Sequence, residues 1–144
     1  MKMEFYCGRT NDVSPATMLG VRGYEPRAIV VWKNKLDNMS PQQRCEKISP
    51  RFQAALMRRE FDLLVHGIDR QSGRGLICAL KHGESQCDSK RALFAVKDRQ
   101  SAEKIVDELY ITIRKTGNPT SQSSSSKAID LQELIAAITE LREK

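Results

Sequence analysis

The sequence contains few of the residues on which most catalytic sites depend. Only two of its 144 residues are histidines, and they do not form a His-x-x-x-His pair. The sequence also has no Cys-x-x-Cys pair, no Gly-x-Ser-x-Gly motif and no Gly-rich phosphate loop. A zinc ribbon, a nucleophile elbow and a nucleotide-binding loop therefore all lack their usual signatures. These absences argue against an enzyme and predict neither a metal site nor a cofactor.

Long apolar runs are also missing. No stretch approaches the ~20 apolar residues that span a bilayer, and no apolar run of signal-peptide length follows Lys2. We therefore expect no signal peptide, which points to a cytoplasmic location. The composition is 40% apolar, 29% charged and 6% aromatic, as is typical of a globular domain.

The positive charge lies in the main body of the chain. Residues 1–116 carry 21 Lys and Arg against 14 Asp and Glu, whereas residues 117–144 carry 3 against 4. Four arginines on or just after the first predicted helix form a candidate ligand or partner face: Arg44, Arg51, Arg58 and Arg59. A solvated face, an acidic protein partner and an anionic membrane surface are all compatible with them. Nucleic acid is disfavoured, because the eight aromatic residues mostly occupy core-like positions and offer no stacking platform.

The hydrophobic pattern predicts an α+β fold. Apolar or β-branched segments indicate strands at Ala16–Val21, Ala28–Trp32, Phe61–His66, Gly75–Leu80 and Ala92–Val96, with a shorter run at Phe5–Cys7. We expect a largely antiparallel sheet of about five strands packed with two helices. The last three strands are linked by turns and should form a meander.

The first helix has a clear beginning. Ser40 is a natural N-cap, Pro41 suits the first helical position, and Gln43 completes a capping box. Pro50 should kink or restart this helix, with Ser49 as a second cap. A second helix should open near Gln100 and bury one apolar face.

The composition changes after residue 115. Residues 1–115 are assigned to the α+β domain, residues 116–126 to a flexible Ser-rich linker, and residues 127–144 to an amphipathic helix. A helix this short is marginal alone, so its apolar stripe must dock on the chain's own sheet, on a partner protein or on a membrane. The stripe is a candidate partner helix and comprises Leu131, Leu134, Ile135, Ile138 and Leu141.

A set of short motifs spans roughly residues 3–115. It includes Phe5-x-Cys7, Ile29-Val30-Val31-Trp32, Gly67, Ile77-Cys78, Cys87 and Leu93–Lys97. Its most specific part, called the signature below, is Arg44-Cys45-x-x-Ile48-Ser49-x-Arg51-Phe52-Gln53. Together these residues resemble the circadian oscillating polypeptide 23 domain family of cyanobacteria. The Ser-rich linker and the tail lie outside this match.

The resemblance implies an exported or membrane-associated protein without an established enzymatic activity. It also implies that the four cysteines form two disulfides. Because Cys78 and Cys87 are nine residues apart, on a strand and the following loop, we expect them to pair, which leaves Cys7 for Cys45.

These observations favour a non-enzymatic binding or accessory domain that is peripheral to a membrane or a protein complex. Two alternatives remain open. One is a thiol-dependent enzyme or redox protein that uses Cys78 or Cys87. The other is a binder of anions or nucleic acid through the basic face.

Overall fold

The computed structural model describes residues 2–115 and 128–143. Its contacts divide the chain into two compact units, Met1–Arg58 and Arg59–Lys144. The elements are β1 (Met3–Arg9), β2 (Pro15–Val21), β3 (Arg27–Val31), α1 (Pro41–Met57), β4 (Leu63–Ile68), β5 (Gly75–Leu80), β6 (Ala92–Val96), α2 (Arg99–Lys115), β7 (Ile129–Asp130) and α3 (Leu131–Glu143).

The α+β class is confirmed, but the strands do not form one sheet. Over the described residues, seven strands make two antiparallel sheets, one of three strands and one of four. The prediction of a single sheet of about five strands is therefore wrong in this detail. Strand pairing depends on contacts between distant parts of the chain, and α1 separates the strands of the two sheets.

The first unit is a three-stranded meander covered by α1. The strand order is β1-β2-β3, and α1 packs against β1 and β2. In the β1–β2 register Phe5 faces Leu19 and Cys7 faces Thr17. The register with β3 shifts between Thr17 and Met18, because Thr17 pairs with Val30 and Met18 with Ala28. Phe5, Leu19 and Thr17 are buried, so this face of the sheet forms the core of the unit.

The N-terminus of α1 forms as predicted. The Ser40 hydroxyl accepts a hydrogen bond from the Gln43 backbone N–H at 3.2 Å, and the Gln43 side chain accepts one from the Ser40 N–H at 2.9 Å. Pro41 occupies the start of the helix. This reciprocal capping box satisfies two backbone donors that the first turn leaves unpaired.

Pro50 does not restart the helix, so that part of the prediction is wrong. α1 continues unbroken from Pro41 to Met57, and Ser49 lies within it rather than capping a second helix. Pro50 cannot donate to the carbonyl of Glu46, but both residues are on the exposed side of α1. Water can therefore bond that carbonyl, which lowers the cost of the missing hydrogen bond.

The second unit contains the predicted meander. β4, β5 and β6 are antiparallel neighbours in the order β6-β5-β4-β7, and all six residues of β5 are buried. α2 packs on this sheet, and at Gly75 an added Cβ would collide with the carbonyl oxygen of Asp98, just before α2, and come within 2.9 Å of the Ala102 Cβ. The Asp98 carboxylate accepts the Ser101 backbone N–H at 2.8 Å, which caps α2 and lowers the pKa of Asp98.

The tail belongs to this second unit. β7 pairs with β4, with Ile129 opposite Leu64 and Asp130 opposite Leu63. The contacts thus place the end of the chain with β4, β5, β6 and α2, whereas the sequence assigned it to a segment separate from residues 1–115. The tail joins the second unit because β7 adds to the edge of β4. A strand of two residues is too short to give a recognisable hydrophobic pattern in the sequence. The predicted linker at residues 116–126 lies outside the described residues.

Candidate functional site

The first residue of the signature is buried rather than presented on the surface. The Arg44 side chain is 6% exposed, and its guanidinium carbon lies 4.8 Å from the centroid of the Trp32 ring. Its Nη1 donates to the carbonyl of Asn34 at 3.1 Å. Burial lowers the pKa of Arg44, an effect opposed by the negative charge of Asp37. Arg44 must therefore be removed from the predicted partner face, because its planar cation stacks on the indole inside the first unit.

The signature serine takes part in a buried chain of hydrogen bonds. The Ser49 hydroxyl lies 2.8 Å from the Thr17 hydroxyl, and the Trp32 indole N–H donates to the same Thr17 oxygen at 3.0 Å. All three side chains are buried. A buried polar group without a partner costs about 1–3 kcal/mol, so each member stabilises the positions of the others. Sequence reasoning missed this network, because nothing in the local pattern links Thr17 to residues 15 and 32 positions away.

Three further signature residues connect α1 to β1. Cys45 forms a disulfide with Cys7, with 5.5 Å between their Cα atoms, as expected. The rings of Phe52 and Phe5 have centroids 5.3 Å apart at an interplanar angle of 50°. The Gln53 side chain accepts the Phe5 backbone N–H at 2.8 Å. These contacts hold the helix on the sheet, so this part of the signature has a structural role.

One flank of α1, next to its buried face, presents a basic surface to solvent. Lys47, Arg51 and Arg58 are all exposed, and at 100° per residue they fall within about 40° of the helix circumference. We call these three residues the basic face. Met57, which directly precedes Arg58 in the sequence, is an apolar residue that is 72% exposed. Of the predicted partner residues, Arg51 and Arg58 are thus brought together, and Lys47, which that prediction omitted, joins them.

Arg59 follows the helix in a backbone conformation that favours glycine. Its φ is +59°, and its side chain is exposed. It occupies the position after the C-cap Arg58, where helices commonly end with a left-handed glycine. Arg59 belongs to the second unit and is not part of the basic face.

The other two cysteines form the second expected disulfide. Cys78 and Cys87 have Cα atoms 5.5 Å apart, and Cys78 is fully buried in the middle of β5. The bridge lies directly against Gly67 of β4, where an added Cβ would come within 2.7 Å of the Cys87 Cβ. This close approach explains why a glycine is needed in that strand. Within the described residues, no cysteine is a free thiol.

His82 lies between two carboxylates that the sequence did not connect. Its Nε2 is 3.2 Å from the Asp130 Oδ2, and its Nδ1 is 3.6 Å from the Asp62 Oδ2. The other histidine, His66, lies in β4 opposite Ile77. The cluster was missed because Asp130 comes next to it only when β7 joins the sheet.

The apolar stripe of the tail is buried within the chain's own second unit. Leu131, Leu134, Ile135 and Ile138 are each between 3% and 6% exposed. Leu141 lies outside the residues whose side chains are described. The stripe therefore docks in cis in this structure, and it is not presented to a partner as the partner-helix hypothesis required.

The described parts of the chain contain neither a group of metal-ligating side chains nor a membrane-spanning helix. Over residues 2–115 and 128–143, no three His, Cys, Asp or Glu side chains are grouped so that they would hold a metal ion. Over the same residues, no helix has the length and apolar character required to cross a membrane.

These features define a class of protein: a disulfide-bonded α+β protein of two units whose most specific sequence motif builds the core around one helix. The sequence model of the family described as "Circadian oscillating protein COP23" matches residues 4–136. The chain therefore belongs to this family. The match continues through β7 into α3, so the expectation that the tail lies outside the family's conserved extent is wrong. No curated protein and no solved structure gives a significant match.

Proposed function

We propose that this protein is a non-enzymatic accessory domain that binds an acidic protein surface through the basic face of α1. The observation that carries this proposal is the distribution of charge. Residues 1–58 contain ten Lys and Arg against five Asp and Glu, whereas residues 59–144 contain fourteen against thirteen. The first unit therefore accounts for +5 of the net charge of +6. Lys47, Arg51 and Arg58 concentrate part of this charge on one side of a capped helix.

The composition of the surface favours a protein partner over a membrane. Arginine and methionine are enriched in protein–protein interfaces. Two of the three charged groups are arginines, and one of them, Arg58, directly follows the exposed Met57. Helices that lie in a membrane interface instead carry Trp, Phe or Leu on their apolar face. The exposed side of α1 has none of these residues, because Phe52 is buried and Leu56 is half-buried.

The cysteines support a non-enzymatic role. A thiol-dependent enzyme needs a thiolate as nucleophile, and both Cys78 and Cys87 are engaged in a disulfide. Full burial of Cys78 also keeps its sulfur from solvent.

The proposal can be tested with a defined acidic probe. A fluorescent peptide of Glu, Asp and Gly is titrated with the full chain at about 50 and 200 mM salt. The test variant carries Lys47→Gln, Arg51→Gln and Arg58→Gln. The matched control variant carries Lys2→Gln, Arg22→Gln and Lys35→Gln, which remove the same charge from other exposed positions of the first unit.

We expect the wild type and the control to bind the peptide more weakly at the higher salt. The test variant should lose about three- to hundredfold in affinity, because each exposed ion pair contributes about 0.2–1 kcal/mol. Equal losses in both variants would show that only net charge matters and would overturn the proposal. Parallel titrations use phosphatidylcholine–phosphatidylserine vesicles and duplex DNA. Binding to either of these without binding to the peptide would contradict a protein partner and identify the alternative.

A further inference from the structure

The edge of the first sheet that β1 forms is covered by α1. The Arg22 N–H donates to the Lys2 carbonyl at 2.9 Å, so the alternating antiparallel pattern directs the Phe5 N–H away from β2. Gln53 of α1 accepts this outward N–H at 2.8 Å, and a disulfide joins the same strand to the helix. A strand that added to β1 would have to displace these contacts.

The opposite edge, formed by β3, is open. No strand of the described residues pairs with the outer side of β3. The Trp32 N–H donates to the Pro15 carbonyl at 2.9 Å, so the preceding residue, Val31, directs its N–H and carbonyl outward. Val31 is 39% exposed. The register shift leaves Ile29 as an extra residue in β3, so the regular part of this edge begins at Val30.

The basic face of α1 lies on the same flank of the helix as this open edge. Arg44 stacks on Trp32, which directly follows β3, and so marks the β3 flank. Gln53 lies about 180° from Arg44 around the helix and marks the β1 flank. The three residues of the basic face lie within about 60° of Arg44. Their positive charges are therefore on the β3 side of α1.

The basic face also runs alongside β3. Phe52, towards the end of α1, packs on Phe5, which the strand registers align with the start of β3. Arg44, near the beginning of α1, packs against the residue that follows β3. α1 is thus antiparallel to β3, and Lys47 and Arg51 lie between these two levels.

We propose that the partner binds as an extended acidic segment that adds to β3 as an antiparallel strand, next to the basic face of α1. This inference rests on the proposed function, because it takes the partner to be an acidic protein. Strand addition of this kind draws its affinity from main-chain hydrogen bonds and its specificity from alternate side chains. Carboxylates at every second position of the added strand face the basic face.

The two faces of the sheet predict the sequence pattern of the ligand. Thr17 points towards α1, so Ala16 and its β3 partner Val31 face away from the helix. The side chains between the carboxylates therefore lie beside an exposed apolar residue, where β-branched residues fit well. The basic face extends about 16 Å along the helix, which is the length of about five extended residues. The recognised segment thus alternates acidic and β-branched residues over this length.

Fluorescent peptides of equal charge test this mode of binding with the full chain. The alternating peptide is Gly-Glu-Val-Glu-Val-Glu-Val-Gly, and the block peptide has the same residues in the order Gly-Glu-Glu-Glu-Val-Val-Val-Gly. In an antiparallel pair with β3, the valine N–H groups point to the edge and the glutamate N–H groups point away from it. N-methylation of two valines therefore blocks pairing, and N-methylation of two glutamates is the matched control.

Two variants of the protein test the same edge. Val31→Pro removes the outward N–H, and proline is tolerated on an edge strand where its nitrogen faces solvent. Val31→Thr keeps that N–H and is the matched control. Trp32 emission in guanidinium chloride shows whether each variant is folded. The methylated peptides are titrated against the wild type, so the test does not depend on the folding of Val31→Pro.

We expect the alternating peptide to bind about threefold more tightly than the block peptide. N-methylation of the two valines should weaken binding about five- to hundredfold, because two hydrogen bonds are lost. N-methylation of the glutamates should have little effect, and folded Val31→Pro should bind more weakly than Val31→Thr.

Equal binding of the alternating and block peptides, with equal effects of both methylation patterns, would overturn strand addition. If Lys47→Gln, Arg51→Gln and Arg58→Gln together still weakened binding in that case, the proposed function would stand without this inference. A wild type that bound none of these peptides would overturn both.

Discussion

Replacement of Arg44 by alanine should destabilise the first unit by about 2–3 kcal/mol. Its cation–π contact with Trp32 is desolvated, and contacts of this kind contribute about 1–2 kcal/mol. A hydrogen bond from a charged donor, here to the Asn34 carbonyl, adds about 1.5–3 kcal/mol. Burial of the guanidinium opposes both terms, as the lowered pKa of Arg44 indicates. The net loss therefore falls below the sum of the two gains.

The assay uses the single tryptophan of the chain. Trp32 lies in the first unit and is 3% exposed, so its emission reports the unfolding of that unit in guanidinium chloride. Arg44→Ala should lower the unfolding midpoint. Arg44→Lys should recover only part of the loss, because an ammonium group neither stacks on the indole nor offers the planar donors of a guanidinium. Lys47→Ala, on the exposed side of the same helix, is the matched control and should change stability by less than about 0.5 kcal/mol.

One outcome would refute the reasoning. If Arg44→Ala unfolded at the wild-type midpoint and instead lost binding to the acidic peptide, Arg44 would be a ligand residue. The predicted structural role of the signature would then be wrong at its first position.

Three further predictions concern stability. Replacing Cys7 and Cys45 by serine should cost about 4 kcal/mol, the chain-entropy value for a 38-residue loop, and is measured by Trp emission; a loss below about 1 kcal/mol would contradict it. Leu134→Asp with Ile138→Asp should lower the melting temperature without changing the oligomeric state, since both side chains are buried in cis; altered association at an unchanged melting temperature would restore the partner-helix hypothesis. Val13→Asn should stabilise the protein by about 0.5–1 kcal/mol, because Val13 is β-branched and 64% exposed at a φ of +68°; a lower unfolding midpoint would exclude strain there.

Local chemistry made part of this fold predictable from sequence. Ser40, Pro41 and Gln43 are close neighbours whose capping bonds follow from their spacing. The β4–β5–β6 meander also follows from neighbouring segments joined by short connections. Both disulfides were expected once the family resemblance implied two bridges, and the short separation of Cys78 and Cys87 then determined the pairing.

Features that depend on distant contacts were not predictable. The division into two sheets and the addition of β7 to β4 are decided by packing over the whole chain. The β2–β3 register shifts between Thr17 and Met18, and Thr17 meets Trp32 and Ser49 only in the folded unit. Arg44 shows the same limit at the candidate site. The sequence shows that Arg44 lies on an amphipathic helix, but it does not show that the Trp32 indole covers the guanidinium.

Arg51 is the exposed residue of the signature. Arg44, Cys45, Ile48, Ser49 and Phe52 are buried, and Gln53 binds the backbone of β1, so their presence in the signature follows from stability.

Arg51 is exposed on the basic face. We expect Arg51→Gln to weaken binding to the acidic peptide more than Lys47→Gln does, because a guanidinium can engage a carboxylate through two parallel hydrogen bonds. The unfolding midpoint of Arg51→Gln, followed by Trp32 emission, should fall much less than that of Arg44→Ala, because the contacts of an exposed side chain contribute little to stability. A midpoint lowered as far as that of Arg44→Ala would instead make Arg51 structural, and the functional residues would then have to lie outside the signature.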